Sequence, residues 1–274
     1  MNILFELSLF EKIIGFLSFE LNEIPTMYGW FHLMFIGIFT GLTIICAKRF
    51  KGSSTKDLDI FLRIVSVIML IFEVYKQFVF TIDGSTWDYQ WYAFPFQFCS
   101  VPMYVMLLAS FLKEGKIKQS LYAFLGTYGL FGGLAVMAYP STVFIYTLGI
   151  SIQTMVHHGF MVVVGITLLY SGHIQLNRKG ILKAASVFFS LVAIAFLLNI
   201  GLRNVDGTFN MFFISPYYDT SLPVFSLIEA KFGYIPFLIT YFFGFTLAAY
   251  LVLITSIFIK DRQGRYNEKT LKAN

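Results

Sequence analysis

Cys99 lies between Pro95 and Pro102 in YAFPFQFCSVP, and two adjacent histidines, His157 and His158, follow in SIQTMVHHGF. A thiol attacks an acyl ester as its thiolate, and with an ordinary pKa of ~8.5 it needs a base beside it. Imidazole is suited to take that proton and later return it. The three residues are therefore candidates for acyl transfer through a cysteine thioester. Metal binding is the other use of paired histidines. Neighbours on a helix point about 100° apart, however, and no HxxxH, HxxE or carboxylate cluster completes a site, so no metal is expected. On a helix His157 shares a face with Gln153, whereas His158 shares one with Ser151, Thr154 and Gly165. Either histidine can serve as the base. A lone cysteine in an apolar helix is also simply a small hydrophobe, and residue type alone goes no further than a possible Cys–His pair.

The elements that carry these residues are seven apolar runs, at 27–47, 59–82, 91–112, 119–139, 143–172, 181–201 and 234–259. Each reaches the ~20 residues that a helix needs to cross the hydrocarbon core. The loops between them alternate in charge. Lys48, Arg49, Lys51 and Lys56 follow the first run, KEGKIK the third, NRKGILK the fifth and KDRQGRYNEKTLKAN the seventh, while IDGSTWDYQW and YPST carry no Lys or Arg. Basic loops stay in the cytoplasm. The expected fold is an all-α membrane protein of seven transmembrane helices, N-terminus outside and C-terminus cytoplasmic, in a bacterial plasma membrane.

Of the 274 residues, 57% are hydrophobic and 13% charged, against about 25% charged in a soluble domain. The spans use nearly all of the length, so any chemistry takes place inside the bundle or at its mouths. The net charge of +5 sits mostly in the loops that face an anionic inner leaflet. No groove-reading motif accompanies it, and nucleic acid is not an expected partner.

Ionisable groups within spans are costly and are functional candidates by default. His32, Glu73, Lys76, Gln97, Gln153, Asn199, Arg203 and Asn210 all fall in the outer half of the proposed bundle or just beyond it. They predict a polar chamber that opens outward and holds a substrate headgroup. Each has a structural alternative. Glu73 and Lys76, at i and i+3, can neutralise each other; His32, Gln153 and Asn199 can bond between helices; Arg203 can anchor at the interface. Arg63, near the inner entrance of the second run, is expected to snorkel to lipid headgroups.

Residues 1–23 read as an amphipathic interfacial helix rather than a signal peptide, because Glu6, Glu11, Lys12 and Glu20 interrupt the apolar stretch. Segment 202–233 reads as an outer cap, with FSLIEAKF as a two-turn interfacial helix and Asp206-Gly207 supplying a positive-φ turn. Residues 261–274 form a basic cytoplasmic tail. Cys46 and Cys99 differ in depth by well over ~10 Å, too far for a disulfide.

PFQFCSVP, QTMVHHGF, and Asn199 followed by GTFNMFFISP together resemble the YwaF-like bacterial integral membrane proteins. Those are related to a eukaryotic transmembrane acyltransferase that forms polyunsaturated ether phospholipids. The resemblance covers about 27–260. It implies a cysteine acyl carrier at Cys99 and a histidine partner at His157 or His158. Where the family usually has a histidine two residues before the cysteine, this chain has Gln97. The expectation is a lipid acyltransferase that needs no cofactor and has membrane lipids as partners, a phospholipid or lysolipid being the substrate. A transporter of an amphipathic solute and a non-enzymatic assembly protein are the alternatives.

Overall fold

The computed structural model describes residues 9–83, 86–174, 177 and 179–273, the side chains at 9–11, 83, 86 and 263–273 excepted. The helices are α1 (Leu9–Leu17), α2 (Trp30–Phe50), α3 (Thr55–Thr81), α4 (Val101–Phe111), α5 (Lys116–Ala138), α6 (Leu148–Ser171), α7 (Gly180–Gly201), α8 (Phe225–Phe232) and α9 (Tyr234–Ala273). The antiparallel ladder Ile82–Asp83 with Thr86–Trp87 closes the turn after α3.

Among the described residues, five helices are both long and apolar enough to cross a membrane: α2, α5, α6, α7 and the Tyr234–Arg262 part of α9. The chain is a multi-pass membrane protein. Two of the seven expected spans differ from the rest for visible reasons. α3 has the length, 27 residues, but carries Asp57, Asp59, Arg63, Glu73 and Lys76. The third run is not one helix. A 3₁₀ turn covers Trp91–Ala93, the chain is non-helical from Phe94 to Ser100, and only α4 remains regular, with Pro102 in its first turn. Its 11 residues span about 16 Å at ~1.5 Å each, roughly half of the hydrocarbon core. Pro95 and Pro102 each lack an N–H, and a proline disfavours helix in the residue before it.

α2, α3 and α5 all pack on α6, so α6 is the central helix. Small residues allow the approach. A Cβ on Gly133 of α5 would stand 2.9 Å from the His158 carbonyl and 2.8 Å from Met161 Cβ, and one on Gly159 would collide with the Phe39 ring of α2. α5 contains a π turn over Leu125–Gly129, where Tyr128 is buried, stacked on Phe188 of α7 at 4.5 Å and bonded through its hydroxyl to Thr246 of α9.

The loops after α2, α4 and α6 meet at one end of the bundle, where Gln119 donates to the His173 carbonyl and His173 to that of Ser53, each at 2.9 Å, and 202–233 lies at the other. That cap end is closed by folded chain. Phe209, Met211, Phe212 and Ile214 are buried, and α8 occupies the expected FSLIEAKF. The turn at VDGT is not made as expected. Gly207 is absent from the positive-φ residues; instead the Asp206 carboxylate accepts from the Thr208 N–H (3.2 Å) and hydroxyl (2.9 Å). α1 lies at the same end, where Tyr75 of α3 donates to the Leu17 carbonyl at 2.6 Å and Leu148 to that of Phe19 at 3.0 Å. Of the helix expected over 1–23, only Leu9–Leu17 is helical among the described residues, and 18–23 is irregular; residues 1–8 lie outside the described residues. The tail read over 261–274 continues α9 as helix to Ala273.

Candidate functional site

Just below the cap, α3, α6, α9 and the broken 94–100 segment meet in a buried polar layer. His157 of α6 is 2% exposed, and its Nε2 lies 3.0 Å from the backbone carbonyl oxygen of Cys99. A carbonyl only accepts, so Nε2 holds the proton and Nδ1 the lone pair. The bond exists because the prolines free this carbonyl from any helix. His158 donates from Nδ1 to the Thr154 carbonyl at 2.8 Å, one turn back along α6, which leaves its lone pair on Nε2. Both lone pairs, on His157 Nδ1 and His158 Nε2, are buried without a hydrogen-bond partner among the described residues. The rings are 5.8 Å apart and tilted by 59°.

An unpartnered buried polar atom costs about 1–3 kcal/mol. Two in adjacent residues, with Glu73 Oε2 and the Tyr241 hydroxyl also unpartnered, are a concentration that structural need does not explain. The Cys99 thiol is partly buried and makes no hydrogen bond with a described residue. Cys99 and His157 therefore adjoin through the backbone, and not through a thiol–imidazole bond as the sequence expectation implied.

Glu73 and Lys76 of α3 form a 2.8 Å ion pair with side chains 4% and 15% exposed. Gln77 Nε2 also donates to Glu73 Oε1 (2.8 Å) and to the Ala93 carbonyl (2.6 Å), and its Oε1 accepts from Tyr89 (2.8 Å). Burial and the Glu73 charge push the Tyr89 phenol pKa up. Lys76 is close enough to act electrostatically on Cys99, His157 and His158, and Tyr241 of α9 interacts likewise with Cys99. Gln153 is buried one turn before His157 and makes no hydrogen bond with a described residue. Among the described residues no group of three possible metal ligands occurs.

Four expected substrate contacts are spent elsewhere. His32 is fully buried, donating to the Met137 carbonyl and accepting from the Tyr28 N–H, each at 2.9 Å; both its nitrogens are satisfied. Gln97 donates to the Asn210 carbonyl and accepts from the Phe212 N–H, each at 2.9 Å. Asn199 grips Met211 in the same way, at 3.0 and 2.7 Å. Asn210 bonds Tyr218, Asp219 and Ser215 within the cap. These amides hold a strained turn, since Phe212 and Phe213 both have φ of 58°, a conformation costing roughly 1–2 kcal/mol in a non-glycine residue. Arg203 remains exposed at the rim, bonded to the Tyr217 hydroxyl at 3.1 Å.

The model of the TMEM164 family matches residues 27–255, from before α2 to the middle of α9, and so spans the whole site. The chain belongs to the TMEM164 family. Membership fits a membrane acyltransferase-like role at family level and agrees with the acyltransferase relation that the motifs suggested. Among curated proteins and among solved structures nothing matches the chain. In this TMEM164-family chain the sequence missed Gln77 and Tyr241. Gln77 sits one turn beyond Glu73 on α3, a spacing that was there to be used; Tyr241 gave no signal in an apolar, aromatic helix.

The cap ties carry their own expected result. Asn199→Leu orphans the Met211 N–H and leaves the Met211 carbonyl only the 3.4 Å bond from the Ile214 N–H, and should cost about 1–3 kcal/mol. Limited proteolysis across 205–222 should accelerate while α5 and α6 stay intact. Unchanged cleavage would show that the cap does not depend on this grip.

Proposed function

We propose that the protein is a membrane-embedded lipid acyltransferase in which Cys99 carries the acyl group and His157 moves the protons. The observation that supports it best is the free, buried lone pair of the histidine bonded to the Cys99 backbone. A turn of the thiol or the ring is needed to bring sulfur and nitrogen together. His157 then takes the thiol proton, the sulfur attacks the ester carbonyl of a phospholipid, and the C–O bond breaks. His157 returns the proton to the departing lysophospholipid oxygen. In the second half the hydroxyl of another lysolipid gives its proton to His157 and attacks the thioester; the C–S bond breaks and the proton passes back to sulfur.

Lys76 supplies positive charge near the sulfur and the developing oxyanion, where low dielectric strengthens it. His158 Nε2 and Gln153 are the remaining groups suited to orient the acceptor. Arg203 at the rim suits a phosphate. Enclosure by the cap excludes water and favours transfer over hydrolysis.

α3 and the broken third segment complete a seven-crossing bundle in this reading, with the cap end outside and the basic end cytoplasmic, in a bacterial plasma membrane. A cysteine introduced at Asp88 should react with an impermeant thiol reagent added to intact cells. One at Glu114 should react only after permeabilisation, and the reverse pattern would invert the topology. The activity itself is tested by purified protein in lipid discs with a labelled diacyl phospholipid and an unlabelled lysophospholipid. Label should move to the lysolipid; release of free fatty acid alone, or no movement, would contradict an acyltransferase.

A further inference from the structure

The basic end holds a second polar site, remote from Cys99. Lys118, in the first turn of α5, is 1% exposed. It pairs with Asp59 of α3 at 2.7 Å, donates to the Leu112 carbonyl at 3.0 Å and lies 3.8 Å from Glu114. Tyr122 adds a 3.0 Å bond to Asp59. The buried lysine is therefore neutralised and its carboxylate occupied.

Over this base opens a cavity of about 530 Å³ lined by α3 and the α4–α5 junction. Lys56, Arg63 and Lys113 line it together with Lys118, against only two carboxylates, Asp59 and Glu114. Lys56, Arg63 and Lys113 make no ion pair with a described residue. Arg63 does not snorkel freely. Its Nη2 donates to the Ser110 carbonyl at 3.1 Å, its Nε lies 3.5 Å from Ser110 Oγ, and its guanidinium sits 4.1 Å from the centre of the Phe111 ring. The fork is held in place with donors to spare. Beside it Ile60, Ile64, Leu108 and Phe111 are exposed, an apolar flank continuous with a cationic mouth.

We propose that this cavity binds a phosphate-bearing anion, its acyl chains lying along the Ile60, Ile64, Leu108 and Phe111 flank when the phosphate belongs to a lipid headgroup. Four cations against two carboxylates leave an unbalanced positive field, a fixed guanidinium offers bidentate geometry for phosphate oxygens, and the apolar flank suits an amphiphile. The site is independent of the chemistry at Cys99.

Native mass spectrometry of the detergent-purified protein tests it, with phosphatidylglycerol, phosphatidylcholine and inorganic phosphate as probes. The parent should retain phosphatidylglycerol about tenfold more strongly than phosphatidylcholine, the scale of one charge-assisted hydrogen bond. Arg63→Gln should abolish that preference. The double variant Lys56→Gln/Lys113→Gln alters only exposed side chains and should weaken it without threatening the fold. Displacement of phosphatidylglycerol by inorganic phosphate would show that the phosphate alone is recognised; retention against it would show that the acyl chains are needed. Equal retention of both lipids by the parent, or a preference unaltered in both variants, would overturn the proposal.

Discussion

Cys99→Ser is expected to lower acyl transfer by at least about 10³-fold while leaving the folded protein intact. A serine hydroxyl is far less acidic than a thiol, and a neutral imidazole alone activates it poorly without the rest of a built triad. The substitution is nearly isosteric. Because the Cys99 thiol makes no hydrogen bond with a described residue, no bond is lost, and the unpartnered serine hydroxyl should cost at most about 1–3 kcal/mol. Turnover of labelled phospholipid, followed beside a thermal melt, separates the two effects. Retained turnover would remove the thiol from the mechanism, whereas a collapsed melt would assign Cys99 a packing role among Phe98 and its neighbours.

The second large effect should come from His157→Gln, at about 10²- to 10⁴-fold in turnover, the usual contribution of a positioned general base. Glutamine is the informative replacement. Its Nε2 can still donate to the Cys99 carbonyl, so the 94–100 segment keeps its tie to α6, but the lone pair of His157 Nδ1 is gone. His158→Gln should do less, since the His158 ring makes its one hydrogen bond among the described residues to Thr154 on its own helix and none to the Cys99 segment. If His158→Gln proves the more damaging of the two, the base is His158 and the role assigned to His157 is structural.

The membrane character and the helix positions were legible because apolar length is a direct statement about the solvent that a helix can tolerate. Phe225–Phe232 was legible for a local reason, an uninterrupted amphipathic stretch between Pro223 and Pro236. The third run reads from its apolar length as one span, whereas the structure breaks it over 94–100 beside its prolines; apolar residues fill a folded, irregular segment inside a bundle as readily as they face lipid. Gln97, Asn199 and Asn210 were expected to meet substrate. An amide serves a ligand and a backbone turn with the same donor and acceptor, and sequence does not say which arrives first. Lys118 was counted among the loop charges of the basic end, yet Asp59, some sixty residues earlier, draws it inside the bundle. The adjacent histidines were the most legible part of the site. Their two free lone pairs were not, because those depend on which nitrogen the Cys99 and Thr154 carbonyls occupy.

The central claim is a covalent acyl group on Cys99, and peptide mass spectrometry tests it most directly. The protein is incubated with a diacyl phospholipid in the absence of any lysolipid acceptor, quenched in acid and digested. The account predicts an acyl mass on the peptide that contains Cys99, released by neutral hydroxylamine and discharged when lysophospholipid is added before the quench. Turnover with no adduct on Cys99, or an adduct confined to Cys46, would contradict it.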